Sequence, residues 1–209
     1  MYMPRQFEEQ RTEVLHGLID AHPLGTLVTM RPGGLEAEHV PFLLDRDAGP
    51  HGTLRAHVAR ANPVWREAEA AAGCLVVFQG ADAYVSPSVY PGKAEHGREV
   101  PTWNYMAVHA RGALRAIHDP AWLLDLLRRL SDRHEQGRAH PWRVSDAPAE
   151  YIDKLLAAIV GIEIPVESLQ GKWKTSQNRP AADRAAVARD MRQRGSDAEV
   201  AMALAVESR

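Results

Sequence analysis

Apolar residues recur at two different periods along this 209-residue chain. Between Glu8 and Ala21, Val14, Leu15, Leu18 and Ile19 fall at helical spacing. This predicts a helix ended by His22-Pro23, because a residue before proline avoids the α region. The next runs are short and β-like: GTLVTM (25–30), the turn RPGG (31–34), HVPFLLD (39–45) and TLRAHVA (53–59). Gly, Pro and Asp punctuate them, as in a meander of antiparallel strands. Asn62-Pro63 opens a short helix through Ala72, with Asn62 as its cap and Pro63 in the first position. CLVVFQGADAYVSP (74–87) and TWNYMAVHARGALRAI (102–117) are too long for flat strands, so Gly80 and Gly112 are expected to place the bulge or bend that curls a sheet into a barrel. SVYPGKAEHGREV (88–100), between them, has no period and reads as a loop of the length that often forms a lid or a ligand edge.

Helical spacing returns after Asp119-Pro120, where Trp122, Leu123, Leu126, Leu127 and Leu130 share a stripe, and again from Ala149 to Val160 with Ile152, Leu155, Leu156 and Ile159. GIEIPVESL (161–169) alternates as a last strand, GKWKTSQNRP is polar, and 181–207 reads as helix broken near Gly195-Ser196. The expected organisation is a mainly β domain with packed helices over 1–170 and a basic, helical segment over 171–209 belonging to the same unit. There is no internal repeat.

Composition narrows the class. With 45% apolar residues and a formal charge of -2, the chain has the content of a globular domain with its own core. No apolar run approaches the roughly 20 residues needed to cross a bilayer, and MYMPRQFEEQ has acids where a signal peptide would be apolar. A cytoplasmic protein without a membrane partner is therefore expected. The lone cysteine, Cys74, lies in the apolar run CLVVF and reads as a buried, inert thiol. Charge is uneven along the chain. Residues 171–195 carry seven Lys and Arg against Asp183 and Asp190, a net of +5, and the remainder stands at -7. Such a tract suits a phosphate, a nucleic acid or an acidic partner face, and equally a solvated helix.

GxSxG, HExxH, a Walker loop and a strand-to-helix GxGxxG are all missing from the sequence. His39, His57 and His109 lie on separate strands without a second ligand at i+2 or i+4, so no metal site is expected. Polar and aromatic residues gather instead at strand ends, with the backbone of Ala59 among them: His57, Arg60 and Asn62; Ser86 and Ser88; Thr102, Trp103, Asn104 and Tyr105; Lys172, Ser176 and Gln177; and Lys93 stands in the polar loop 88–100. Cations for a phosphate, hydroxyls and amides for a polar tail and aromatic edges for a flat ring are what a nucleotide-like cofactor needs. Taken singly, each has a structural explanation: Asn62 as a helix cap, the serines as a turn, Trp103 as core.

The order of these pieces resembles the PaiB family of FMN-binding negative transcriptional regulators. The resemblance runs through YMPRQF (2–7), HPLGTLVT (22–29), AHVARANPVW (56–65), AYVSPSVY (83–90), VPTWNYMAVHARG (100–112), DAPAEYI (146–152), AIVGIEI (158–164) and GKWKTSQNR (171–179), with Val89 where the family has tryptophan. It implies an antiparallel split β-barrel of the FMN-binding type, a homodimer with flavin at the interface, and the fourteen residues above as cofactor contacts. Arg60 and Lys93 would meet the phosphate; Lys172, Ser176 and Gln177 would meet the ring or ribityl chain. Regulation of transcription is the implied role, with DNA as a possible partner through the basic tract. A flavin-dependent oxidoreductase and a heme-degrading relative on the same fold are the alternatives.

Overall fold

A computed structural model of the chain describes residues 1–69, 73–93 and 97–208. Nine strands are described: β1 (Glu8–Glu9), β2 (Leu24–Arg31), β3 (Gly34–Pro41), β4 (Leu43–Asp45), β5 (Thr53–Ala59), β6 (Cys74–Val85), β7 (Thr102–Gly112), β8 (Arg115–Ile117) and β9 (Ile159–Lys174). Their hydrogen-bonded order is β3-β2-β6-β7-β9-β5-β4, with β1 and β8 also on β9. The helices are α1 (Thr12–Ala21), α2 (Val64–Glu69), α3 (Pro120–His134), α4 (Ala149–Ala157), α5 (Ala181–Arg194) and α6 (Asp197–Glu207). The expected mainly β class with appended helices is what the chain forms.

Two compact units make up the chain. The first holds Met1–Ala21, Gln79–Val108 and Gln170–Arg209; the second holds His22–Phe78 and His109–Leu169. In the second, β2 and β3 form a hairpin closed at Pro32-Gly33, with Arg31 opposite Gly34 and Leu24 opposite Pro41. On β5, Leu54, Ala56 and Val58 face Ile164, Ile162 and Val160 of β9. All six are buried, which is the period of two at work across a ladder. Leu126 and Leu130 of α3 pack on Leu43, and Asp119 caps that helix through Ala121.

In the first unit α5 and α6 form a helical hairpin. Val187, Ala188 and Met191 meet Met202, Ala203 and Val206, and this core continues onto Ala81, Ala83 and Val85 of β6. The break expected near Gly195-Ser196 falls where it should. Gly195 takes φ +77°, a conformation that a Cβ disfavours, and Ser196 with Glu199 forms a capping box.

Several boundaries differ from expectation. The first helix begins at Thr12 rather than Glu8, because Glu8 and Glu9 pair as a strand with Lys172 and Gly171. HVPFLLD is two strands, interrupted where the Phe42 N–H donates to the Pro23 carbonyl and its ring enters the core. The 74–87 strand stops at Val85, and the helix from Asn62 begins at Val64; residues 70–72, where it was to end, lie outside those described. The helix expected to run to Val160 ends at Ala157, since Arg60 donates to the carbonyls of Ala157 and Ile159 at 2.7 and 2.8 Å. From Ile159 the chain is one sixteen-residue strand that takes in GKWK.

The long strand from Thr102 is interrupted after Gly112. A Cβ at that position would lie 2.2 Å from the Pro165 carbonyl oxygen, a backbone atom that cannot swing aside. Gly112→Ala should therefore cost about 1–3 kcal/mol. Gly17, inside α1 with nothing within 4 Å of its would-be Cβ, should instead gain up to about 1 kcal/mol as Ala. Urea unfolding of both variants checks the opposite signs.

Candidate functional site

In the first unit, the start of β7, the end of β9 and the turn after it enclose a pocket of about 150 Å³. Thr102, Asn104, Lys174, Ser176, Asn178 and Arg179 supply its polar lining, and Phe7, Tyr90, Val100 and Pro101 its apolar lining. Strand alternation sorts the motif TWNY: Asn104 is buried at 1% exposure, whereas Trp103 is half exposed. The Trp103 indole N–H donates to Asp82 at 2.9 Å, and its ring lies 5.9 Å from that of Tyr84. The four residues thus do not act as one set.

The Asn104 Nδ2 donates to Ser176 Oγ at 2.9 Å, and its Oδ1 is buried without a partner. Ser176 has φ +61° and is the one non-glycine with positive φ among the described residues. A buried, unpaired amide atom costs about 1–3 kcal/mol, and left-handed backbone at a residue with a Cβ costs on the order of 1–3 kcal/mol more. Both features fall in one pocket. Lys174 donates to Thr102 Oγ1, and burial, with the like charge of Lys172 second, lowers its ammonium pKa.

Lys172 engages other neighbours. Its ammonium donates to the Tyr2 carbonyl at 3.1 Å and lies 5.8 Å and 5.2 Å from the ring centres of Tyr2 and Tyr105. Gln177 closes the turn, its Oε1 accepting from Thr175 N–H and its Nε2 donating to the Trp173 and Gln6 carbonyls. Ser86 accepts from Ser88 N–H in a short 3-10 turn, and Lys93 is exposed.

The remaining expected contacts belong to the second unit. His57 has a depressed pKa through burial, and its Nδ1 has no partner. Ala59 pairs with Ile159. Arg60 engages Nε on the carbonyl of Ala157, the last residue of α4, and Nη2 on that of Ile159, the first of β9, and Asn62 Oδ1 accepts from Val64 N–H at 2.9 Å, as a helix cap does. Arg179, Asn178 and Tyr90 were not among the expected contacts. Asn178 and Arg179 close the motif GKWKTSQNR, so their place in it was the available signal. Arg179 pairs with Glu99 at 2.9 Å and stacks 4.4 Å over Tyr90.

Residues 1–168 match the family described as "Putative FMN-binding domain". The chain belongs to this family of FMN-binding proteins. It is 33% identical over 183 residues, 88% of its own length and 85% of the other's, to the protease synthase and sporulation protein PAI 2 of Bacillus subtilis. This bears out the resemblance to PaiB. Among solved structures, the flavocytochrome Anf3 of Azotobacter vinelandii superposes with a TM-score of 0.63 at 18% identity, over 88% of this chain and 78% of that one. The FAD and heme binding protein of Mycobacterium smegmatis gives 0.61 at 20%, over 86% and 79%. These likenesses establish the fold, the split barrel of flavin-binding proteins. No helix among the described residues is long and apolar enough to span a membrane.

Cys74, in the second unit, donates its S–H to the Gly112 carbonyl at 3.2 Å. Burial, and secondarily the Glu167 carboxylate, pushes its pKa up to about 12. At pH 8 only about one such thiol in ten thousand is ionised, so native protein should react with iodoacetamide roughly three orders of magnitude more slowly than unfolded protein. Equal alkylation rates in the two states would contradict this placement.

Proposed function

We propose that this chain is a homodimeric regulator of the PaiB type, in which bound FMN serves as sensor or structural cofactor for negative control of transcription. The observation that carries the flavin reading is the buried Asn104 amide with one unpaired polar atom beside the strained Ser176. Thr102, Asn104 and Ser176 offer the donors and acceptors that a flavin's polar groups require. The pocket is smaller than the roughly 300 Å³ at which ligand sites usually begin, so it suits one end of the cofactor rather than all of it. When bound, FMN supplies one- and two-electron redox chemistry.

Direct contact with DNA draws little support from the basic tract. Arg179 is paired with Glu99, Arg192 with Glu207, and Arg194 with Asp190 and Glu199. The regulatory effect is therefore read as acting through a partner protein or a bound small molecule.

The dimer reading rests on the second unit. Leu123, Leu126 and Leu130 of α3 are buried within the protomer, so that stripe is not free to meet another subunit. Leu24, Met30 and Leu35 of the β2–β3 hairpin are 61%, 55% and 69% exposed. Met30 and Leu35 lie opposite each other and line an open cavity of about 460 Å³ that also touches Arg111 and Glu167. Opposite charges beside one apolar face can pair across a two-fold axis, as an isologous interface requires. Tyr151 and Leu155 of α4 are exposed as well.

The purified protein should carry a flavin spectrum, release FMN on denaturation, and scatter light as a dimer at micromolar concentration. Changing Met30 and Leu35 together to Glu should give a monomer with unchanged circular dichroism. A colourless protein that does not take up added FMN would overturn the cofactor reading, and rapid bleaching by NADH under anaerobic conditions would favour the oxidoreductase.

A further inference from the structure

The small pocket of the first unit holds more positive charge than its neighbours neutralise. Lys174 is half-buried and its ammonium meets the Thr102 hydroxyl; Lys172, two residues earlier, is 8% exposed and meets a carbonyl and two aromatic faces. Among the described residues neither ammonium has a carboxylate within ion-pair distance. Glu99, which with Asp183 bears on the pocket's Tyr90, is already paired with Arg179. With Arg179 paired, Lys174 is the cation of the lining left without a carboxylate partner, and a partly buried charge without a counter-charge is costly.

The Asn104 amide permits the same conclusion. Its oxygen and nitrogen exchange places by rotation about the terminal torsion, and the Ser176 hydroxyl can pair with either, as acceptor or as donor. With the amide turned over, the Ser176 hydroxyl donates to Oδ1 and the buried Nδ2 is left as the free atom. The pocket then holds an unused amide donor, the Lys174 ammonium, the Thr102 hydroxyl and the Asn178 side chain. All of these can donate, and none is an anion.

We propose that this pocket is an oxyanion site that takes the terminal phosphate of the cofactor, with Lys174 as its principal charge partner and Asn104 and Thr102 as neutral donors. A tetrahedral phosphate is of a size with the volume available, whereas a three-ring flavin is not. The assignment rests on the flavin reading for the identity of the phosphate bearer, but the oxyanion site itself does not. It also moves the phosphate contact away from Arg60, two of whose nitrogens are held by carbonyls, and from the exposed Lys93.

The test is a fluorescence titration of the full-length apoprotein with FMN and with riboflavin, in wild type, Lys174→Met, Lys174→Arg and Arg184→Gln, together with thermal unfolding in inorganic phosphate. Riboflavin is the same ring and tail without the phosphate. Wild type should bind FMN at least about tenfold more tightly than riboflavin, the size of effect a charge-assisted contact gives, and inorganic phosphate should compete with FMN only. Lys174→Met should bring the two affinities together by weakening FMN while leaving riboflavin unchanged; Lys174→Arg should recover most of the difference, and Arg184→Gln should match wild type. Equal loss of both ligands in Lys174→Met, or no loss of either, would overturn the proposal. If Lys174→Met fails to fold, the decision passes to the wild type and Lys174→Arg, where phosphate competing equally with both flavins, or with neither, would overturn it. If no flavin binds wild type, the flavin reading fails separately: phosphate raising the melting temperature of wild type and not of Lys174→Met would then uphold the oxyanion site, and no such effect would remove it too.

Discussion

The hydrogen bond between Asn104 and Ser176, 2.9 Å long and buried, is the constraint on which the candidate site depends. It ties the start of one strand to a turn 72 residues later in the chain. It also holds that turn in a left-handed conformation that serine does not favour. A fold optimised for stability alone would relieve this, with glycine in the turn or a carbon side chain in place of the amide. That both costs persist in one pocket, beside two lysines without carboxylate partners, is the physical mark of a place built around something else.

Strand geometry explains why the residues divide as they do. Thr102 and Asn104 share one side of β7 and line the pocket, while Trp103 projects to the other side, against Tyr84. Lys172 and Lys174, also two apart, reach different neighbours: aromatic faces and a carbonyl for one, the pocket for the other. The N-terminal segment contributes as well. Phe7 lines the pocket, and the carbonyls of Tyr2 and Gln6 accept from Lys172 and Gln177. Two of the three donors first expected at the flavin ring or ribityl chain, Lys172 and Gln177, are thus partly engaged by the protein's own backbone.

Much of the fold was legible because it depends on local pattern. Thr53–Ala59 alternates and is a strand over those same residues. Asp119 with Pro120, and Gly195 with Ser196, mark helix ends through capping chemistry written into adjacent positions. What was not legible depends on distant partners. Glu8 and Glu9 look helical until Lys172 and Gly171 are beside them, and α4 stops where Arg60, nearly 100 residues earlier, takes the carbonyl of its last residue. The site follows the same division. The motifs around Thr102 and Ser176 pointed to two stretches that the structure brings together, but no sequence pattern tells which residues of TWNY face inward. Three of the five arginines in the +5 tract looked free only while Glu99, Glu199 and Glu207 were out of view.

The most direct measurement is hydrogen exchange of the apoprotein with and without FMN, read peptide by peptide. A flavin held where Asn104 meets Ser176 should slow exchange over 102–105 and 172–179 by an order of magnitude or more, since opening must then overcome the binding free energy. Protection confined to other segments, with those two stretches exchanging as fast as in the apoprotein, would contradict the assignment of this pocket.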